Sequence, residues 1–318
     1  MGATPTDNAA LLCAPRRPLT TTLPLRHFLL ALAVVLVWGS NFVVMKRGLD
    51  TLPPVLFAFL RFAFAFLPAA FFIARPKVSW GRLASYGVLI GVGQFGLLYI
   101  ALTGHISAGL TSLVVQMQVF FTIGLVMWLE GERLRAYQWA ALVLALAGLA
   151  VIGAHVDAQT SVTGLALVLA AGLAWGCGNV VARGAGRVDA LGLVVWSSAF
   201  ALPPLALMSL LFDGPAAITK GLHDADMVVW GAVLWQSLGN TLFGYAVWGW
   251  LFSRYPASTI APLALLIPVV GIGSAALWLD EPLPTWKLGA AALVLAGLAL
   301  NLFGPRLSGY AAKARRAA

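Results

Sequence analysis

The chain has 318 residues, of which 61% are hydrophobic and only 10% are charged. Its mean hydropathy of +0.91 excludes an ordinary soluble domain and is typical of a protein that crosses a membrane several times. The formal net charge is +9. A basic chain binds nucleic acid when its cations form a patch, but here they alternate with the apolar stretches, so no nucleic-acid partner is predicted.

Ten apolar stretches are long enough for a helix to cross the hydrocarbon core, which takes about 20 residues. In chain order they are 25–44, 52–74, 82–103, 107–129, 134–154, 162–182, 190–212, 227–251, 256–279 and 285–304. Because a backbone in lipid must satisfy its own hydrogen bonds, each stretch is predicted to be helical. The sequence therefore predicts an all-α membrane protein with ten transmembrane helices. A disordered tail (1–24) precedes them and a basic tail (305–318) follows, with disorder expected from residue 306.

The second half of the chain repeats motifs of the first half. Trp38-Gly39-Ser40-Asn41 in the first span recurs as Trp175-Gly176-Cys177-Gly178-Asn179 in the sixth, and Glu132-Arg133-Leu134 recurs as Glu281-Pro282-Leu283. The predicted repeats are 25–154 and 155–304. Since each holds five spans, an odd number, the second must enter the bilayer upside down. Inverted repeats of this kind build the central site and the two gates of many carriers, which predicts a solute transporter.

The distribution of Lys and Arg predicts the orientation. Cytoplasmic loops carry an excess of these residues. One set of loops and tails holds Arg16, Arg17, Arg26, Arg75, Lys77, Arg82, Arg133, Arg135, Arg183, Arg187, Arg254, Arg306, Lys313, Arg315 and Arg316. The opposite set holds Lys46, Arg47, Lys220 and Lys287. Both chain ends are therefore predicted to be cytoplasmic.

Polar residues inside the spans are the candidates for solute binding, because unpaired polar groups are costly at that depth. The candidate residues are Trp38, Asn41, Arg61, Gln94, Gln116, Gln118, Trp175, Asn179, Gln236, Asn240 and Tyr245. Amides both donate and accept hydrogen bonds, so they suit a solute that carries both charges. The same amides also suit bonds between neighbouring helices. The sequence leaves these two roles open for each residue.

Arg61 is the one charge deep inside a span, and burying it costs about 2.5–3.5 kcal/mol on insertion scales. It either binds a solute carboxylate or bridges helices. None of the eleven acidic residues lies near the middle of a span. A carrier of lipophilic cations usually has a buried carboxylate, so cationic drugs are disfavoured.

Four residues are candidates for gating. Glu132 and Glu281 are equivalent residues at opposite faces, and we expect them to belong to the two gates or simply to be solvated at helix ends. Pro262 and Pro268 interrupt the ninth span, where proline removes a backbone donor. The break is either a hinge beside the site or a static kink.

Enzymatic interpretations find no support in the sequence. The four histidines are scattered, and no metal-ligand spacing, nucleophile elbow or phosphate-binding loop occurs. Cys13 and Cys177 do not form a disulfide framework, since one lies in a tail and the other in a span. We predict no enzyme activity, no metal and no cofactor. The expected partners are a small-molecule solute and membrane lipid, and no oligomer is required.

At these motifs the chain resembles the EamA family of the drug/metabolite transporter superfamily, whose members have ten helices in two inverted five-helix repeats. The resemblance covers about residues 26–304. Further motifs that carry it are Ala74-Arg75-Pro76-Lys77-Val78, Gln94-Phe95, Gln116 with Gln118, Phe120-Phe121-Thr122-Ile123, Gly131-Glu132-Arg133-Leu134, Arg254-Tyr255, Ala261-Pro262-Leu263 and Pro268-Val269-Val270-Gly271. The narrower of them are similar to those of bacterial cysteine/O-acetylserine exporters. Gln236 and Asn240 depart from that pattern.

The resemblance implies a multi-pass transporter of the bacterial inner membrane that exports cysteine, O-acetylserine or related amino acids by alternating access. A first alternative is a carrier of a different metabolite, such as another amino acid, a purine-like solute or a drug. A second alternative, from another class, is a membrane receptor or assembly scaffold.

Overall fold

A computed structural model describes residues 23–131, 134–156, 160–186 and 188–317 of the chain. Eleven helices follow one another in these ranges. They are α1 (Leu25–Leu49), α2 (Pro54–Phe71), α3 (Trp80–Leu102), α4 (Ala108–Glu130), α5 (Ala136–Ala154), α6 (Val162–Gly184), α7 (Ala190–Asp213), α8 (Pro215–Asp224), α9 (227–254), α10 (Ser258–Trp278) and α11 (Thr285–Ala317). The protein is an all-helical membrane protein.

Nine helices of the described chain are long and apolar enough to cross a membrane, namely α1 to α7, α10 and the part Thr285–Arg306 of α11. The remaining predicted span, the eighth (227–251), corresponds to α9, which is not among them. Its middle carries Gln236, Ser237, Asn240 and Thr241, which lower its mean hydropathy. Of the helices that correspond to predicted spans, α9 is thus the one whose composition is too polar to count as a membrane span.

Helix packing follows an approximate two-fold pattern. When α1 to α5 are exchanged for α6, α7, α9, α10 and α11, each major contact maps onto another. The α1–α10 contact corresponds to α6–α4, and α3–α6 corresponds to α9–α1, while α2–α7 and α5–α11 map onto themselves. Every one of these contacts joins one half of the chain to the other.

Close packing of α1, α4 and α10 depends on glycine. A Cβ at Gly39 would lie 2.5 Å from Val270 Cβ, and one at Gly271 would overlap the Ser112 side chain. Lipid is as apolar as the helix surfaces, so the hydrophobic effect does not drive helices together in a membrane. Small residues instead let them approach closely and pack by van der Waals contact. These contacts join the first and second halves of the chain tightly at this point.

Two kinds of departure from α-helical geometry occur at equivalent places in the two repeats. The third predicted span of each repeat contains a π-helical segment, Leu89–Gly96 in α3 and Trp235–Phe243 in α9. The fourth contains a 3₁₀ segment, Val115–Met117 in α4 and Ala261–Leu265 in α10. Such segments in the middle of helices often mark functional sites or hinges.

Two sequence predictions about the ends have different outcomes. Disorder from residue 306 onward is wrong, because α11 continues as helix to Ala317. The basic residues of this segment lower its hydropathy, but they do not prevent an existing helix from extending. The predicted N-terminal tail has residues 1–22 outside the described residues, and Leu23 and Pro24 lead directly into α1.

Candidate functional site

A cavity of about 570 Å³ lies between the two repeats. It is lined by side chains from α1, α2, α3, α4, α6, α9, α10 and α11. Ten of the predicted binding residues line it: Trp38, Asn41, Arg61, Gln94, Gln116, Gln118, Trp175, Asn179, Asn240 and Tyr245. The structure thus brings together residues that are spread over some 200 positions of the chain. Whether they bind a solute stays a prediction.

The cavity extends from the middle of the bundle towards one face. Trp248 and Phe252 near the end of α9, Ala261 and Ala264 near the start of α10, and Asn301 towards the end of the apolar part of α11 all line it. Because α10 and α11 are consecutive spans, the α9–α10 connection and the end of α11 lie at the same face. That face carries the C-terminus.

Arg61 reaches this cavity from α2 and is only 1% exposed. Its Nη1 donates to Gln236 Oε1 at 2.7 Å and to Tyr99 Oη at 3.4 Å. Its Nη2 donates to Thr241 Oγ1 at 3.2 Å. All three acceptors are neutral, and two of them belong to α9 in the second repeat. The guanidinium is therefore held firmly across the repeat boundary.

The charge of Arg61 is not balanced by a carboxylate. Its guanidinium carbon lies 3.5 Å from the centroid of the Phe95 ring, a cation–π contact, and its Nε is buried without a hydrogen-bond partner. Within the described ranges, none of the ion pairs involves Arg61. A whole positive charge thus remains at the wall of the cavity, where a low dielectric strengthens its attraction for an anion.

Gln236 is the predicted site residue that does not line the cavity. It is fully buried, and while its Oε1 accepts from Arg61, its Nε2 donates to Asn41 Oδ1 at 2.7 Å. The hydroxyl of the neighbouring Ser237 donates to the Arg61 carbonyl at 2.9 Å. The side chain of Gln236 therefore connects α1, α2 and α9 behind the cavity wall.

The amide equivalent to Asn41 has different partners. Asn179 Nδ2 donates to Gln118 Oε1 at 2.9 Å and to Thr122 Oγ1 at 3.1 Å, which joins α6 to α4. No charged group takes part in this cluster. Gln118 and Asn179 thus bond neighbouring helices and also line the cavity, and their role in binding a solute stays a prediction.

Gln94 lies in the π-helical segment of α3 and is 3% exposed. Its Oε1 is buried and has no hydrogen-bond partner among the described residues. An acceptor left unpaired in such a position costs about 1–3 kcal/mol. Gln94 Oε1 and Arg61 Nε are the two buried side-chain atoms of the described chain in this condition, and both belong to residues of the cavity wall.

Aromatic rings form the apolar part of the wall. Trp38 lies 5.7 Å from Tyr245 and 5.2 Å from Trp248, centroid to centroid, and Trp248 lies 5.7 Å from Phe252. The Trp38 indole donates to the Asn240 carbonyl at 3.0 Å, which fixes its orientation. The cavity therefore offers amides and one cation at mid-depth and aromatic surface beyond them.

Several residues of this site are not among the eleven predicted binding residues. Tyr99 and Thr241 hold Arg61, and Trp248 and Phe252 extend the wall. The signal for the last two was present, because with Tyr245 they recur at i, i+3 and i+7 on one helix face. No comparable signal identifies Tyr99 or Thr241 as partners of Arg61, since that contact depends on how three helices pack.

Glu281, one of the predicted gating residues, lies at the opposite face of the bundle. Its Oε1 accepts from the backbone N–H of Ala108 at 2.7 Å, and its Oε2 accepts from Gly109 N–H at 3.2 Å, both at the start of α4. Lys287 Nζ lies 3.4 Å from the same Oε2, and this lysine is 3% exposed. Glu281 thus joins the end of α10 to the start of α4.

The other gating candidates are placed as follows. Pro262 lies in the 3₁₀ segment of α10, whose Ala261 and Ala264 line the cavity, and Pro268 is buried shortly after it. Glu132 lies outside the described residues. The equivalent break in α4, at Val115–Met117, contains no proline and was not predicted. A role in gating stays a prediction for all of these residues.

The described part of the chain contains no cluster of three or more His, Cys, Asp or Glu side chains that could hold a metal ion. Its cavity is lined by amides, aromatic rings and one guanidinium. This arrangement can hold a small solute through hydrogen bonds and one charge.

Residues 25–154 and 162–303 match the EamA-like transporter family. The chain is 44% identical over 284 residues to a Salmonella typhimurium protein named as a probable amino-acid metabolite efflux pump, a match that covers 87% of this chain and 95% of that protein. An Escherichia coli protein of the same name is 42% identical, with the same coverage of both chains.

A protein of known crystal structure aligns with a TM-score of 0.57 at 21% identity, over 86% of this chain and 96% of that one. This likeness concerns the fold. The two matched domains cover nearly all of the apolar helices, and the cavity lies between them. The chain is a multi-pass membrane transporter and not an enzyme, and it belongs to the EamA-like transporter family.

Proposed function

We propose that this protein exports small amphoteric amino-acid metabolites through the cavity between its repeats. The observation that carries the proposal is the buried, unneutralised charge of Arg61 at the cavity wall. A cation in the membrane interior is costly unless it serves a pathway or finds a partner. A solute carboxylate is the partner that the cavity lacks.

The two unpaired buried atoms support an amphoteric solute. Arg61 attracts the carboxylate, while Gln94 Oε1 is a free acceptor that suits an ammonium group. The aromatic surface around Trp38 and Tyr245 suits the apolar part of the solute. A solute with both charges and a short side chain meets all three features.

The relatives support the same class. The Salmonella typhimurium and Escherichia coli proteins are named as probable amino-acid metabolite efflux pumps, and at 42–44% identity we extend that class to this chain. Within the class we propose cysteine and O-acetylserine as substrates. The Gln94, Gln116 and Gln118 set and the Ala74–Val78 loop support this choice through their resemblance to exporters of these compounds.

The proposed mechanism is alternating access. We propose ten spans in two inverted repeats, with α9 as the tenth, in a bacterial inner membrane and with both chain ends cytoplasmic. α9 can span as a polar helix because its amides bond α1 and α2. The described conformation is then inward-facing, with Glu281 closing the outer end. Glu132 and Glu281 act at the two gates, and the 3₁₀ segments of α4 and α10 act as hinges.

Cysteine labelling tests the topology. In a background without Cys13 and Cys177, single cysteines at His155 and Arg183 are exposed to a membrane-impermeant maleimide in intact cells. We expect labelling at position 155 from outside and at position 183 only after permeabilisation, because α6 separates the two positions. Labelling of both from one compartment would contradict the inverted arrangement.

Counterflow tests the function. Purified full-length protein in proteoliposomes is preloaded with cysteine or O-acetylserine, and exchange of the labelled compound is measured. We expect exchange of both. Exchange of purines or of other amino acids alone would replace the substrate proposal, and recovery of a specific protein partner without any flux would favour a scaffold.

A further inference from the structure

Gln236 is the buried amide of the π-helical segment of α9 that faces Arg61 from behind the cavity wall. It is 0% exposed, and its carbonyl oxygen is the nearest acceptor to the guanidinium, at 2.7 Å. Its amide nitrogen donates to Asn41, a cavity residue of α1. It thus contacts the residues that line the site without lining the site itself.

A carboxylate at the position of Gln236 would neutralise Arg61. A glutamate there would form a charge-assisted pair with the guanidinium at the same geometry, since the two side chains differ only by an amide and a carboxylate. The remaining partners, Thr241 and Tyr99, are hydroxyl groups. The neutrality of Gln236 therefore decides whether the cavity keeps a net positive charge.

We infer that Gln236 is a specificity-determining residue that selects solutes with a carboxylate, by holding Arg61 in place without neutralising it. This inference rests on the proposed function and names the part of the solute that the site recognises. The bond to Asn41 adds a second effect, because it keeps the Gln236 carbonyl turned towards Arg61. The site then discriminates against amines, esters and amides of the same compounds, which lack the anion.

The test compares Gln236→Glu with Gln236→Leu, which have nearly the same size and differ in charge. The probes are cysteine, cysteamine, which has the same thiol and amine without the carboxylate, and cysteine methyl ester. For purified full-length protein in detergent, the dissociation constants are obtained from the rise of the unfolding temperature with probe concentration, and monodispersity checks folding.

For the wild-type chain we expect cysteine to bind more tightly than cysteamine and the ester. Gln236→Leu should weaken all three probes but keep this order, because Arg61 stays charged. Gln236→Glu should change the ratio of the dissociation constants of cysteine and cysteamine by about tenfold or more in favour of cysteamine. The reason is that the carboxylate of cysteine then meets an Arg61 that is already paired in an internal salt bridge. In the absence of any probe, Gln236→Glu should unfold at a higher temperature than Gln236→Leu.

The outcomes separate the two proposals. An unchanged ratio of the cysteine and cysteamine dissociation constants in Gln236→Glu, when the wild-type chain prefers cysteine, overturns the role of Gln236 and leaves the proposed function intact. A wild-type chain that binds no amino acid overturns both. If Gln236→Glu does not fold, Thr241→Asp places a carboxylate beside Nη2 of Arg61, and it must produce the same change of ratio. A purely structural Gln236 would make the two substitutions at that position act alike on all probes.

Discussion

The cavity has two equivalent corners, one at Asn41 and one at Asn179, and the two asparagines have different hydrogen-bond partners. In the first repeat Asn41 is bonded by Gln236, which in turn holds Arg61, so this corner carries a positive charge. In the second repeat Asn179 bonds Gln118 and Thr122, and its corner is neutral. The helices around the cavity are thus arranged almost symmetrically, but only the corner at Asn41 carries a charge.

The asymmetry arises on the second helix of each repeat. At the spacing that relates Trp38 to Trp175, Arg61 in α2 corresponds to Ser198 in α7. The Ser198 hydroxyl is buried and donates to the Val194 carbonyl of its own helix at 2.7 Å. Duplication therefore supplies the scaffold and the amides, whereas one unmatched residue, Arg61, supplies the charge that we propose binds the solute.

Removing the charge should have the largest effect. Arg61→Gln erases the difference between the two corners, and we expect the kcat/KM for cysteine or O-acetylserine counterflow to fall about 100-fold, the scale of a lost buried charge contact. Arg61→Lys should fall less, because the charge remains. Ser198→Ala is the matched control in the other repeat and should retain most of the flux. Full activity of Arg61→Gln would contradict the proposed function.

Removing the unpaired acceptor of Gln94 should have the next largest effect. Gln94→Leu deletes the unpaired Oε1, and we expect about tenfold weaker binding of free amino acids, since one hydrogen bond to a charged group is lost. N-acetylated amino acids, which have no ammonium group, serve as the control ligands and should lose little affinity. Equal losses for both kinds of ligand would show that Gln94 does not meet the ammonium.

Opening the closed face should have a smaller effect. Glu281→Gln breaks the buried pair with Lys287. The reporter is Ser112→Cys, in a background without Cys13 and Cys177. We expect it to react about fivefold faster with an impermeant maleimide from outside, equivalent to about 1 kcal/mol. Glu130→Gln is the control.

Glu130 is suited to this control because it pairs with Arg183 at 2.8 Å where both side chains are largely exposed, and such pairs contribute little. Its removal should leave the labelling rate unchanged. An equal rise in both variants would mean that the reporter responds to general loosening rather than to the contact between Glu281 and α4.

Breaking the neutral corner should have the smallest effect on transport. Asn179→Ala removes the bonds to Gln118 and Thr122, and we expect a loss of about 1 kcal/mol in stability, read as a lower unfolding temperature. Its preference for cysteine over cysteamine should persist. Asn41→Ala should reduce that preference, because it frees Gln236 to turn. The reverse result would place the functional corner in the second repeat.

The fold and the polar candidates could be predicted because membrane burial leaves a strong local signal. An apolar run of membrane length has few alternatives to a helix, and Arg61 or Gln94 stands out inside such a run. The same reasoning is weaker where the signal is mixed. α9 has the polar middle that lowers its hydropathy, and residues 306–317 are helical although their composition suggested a tail.

The sequence alone determined the apolar helices and the identity of the polar side chains buried in the bundle, because both follow from the free energy of transferring single residues into lipid. It also revealed the internal duplication, through motifs that recur in the two halves. Only the tertiary structure decided that Gln236 lies behind the wall while Gln116 lies on it, and that Tyr99 and Thr241 hold Arg61. The rotation of a helix about its own axis depends on the neighbours that pack against it.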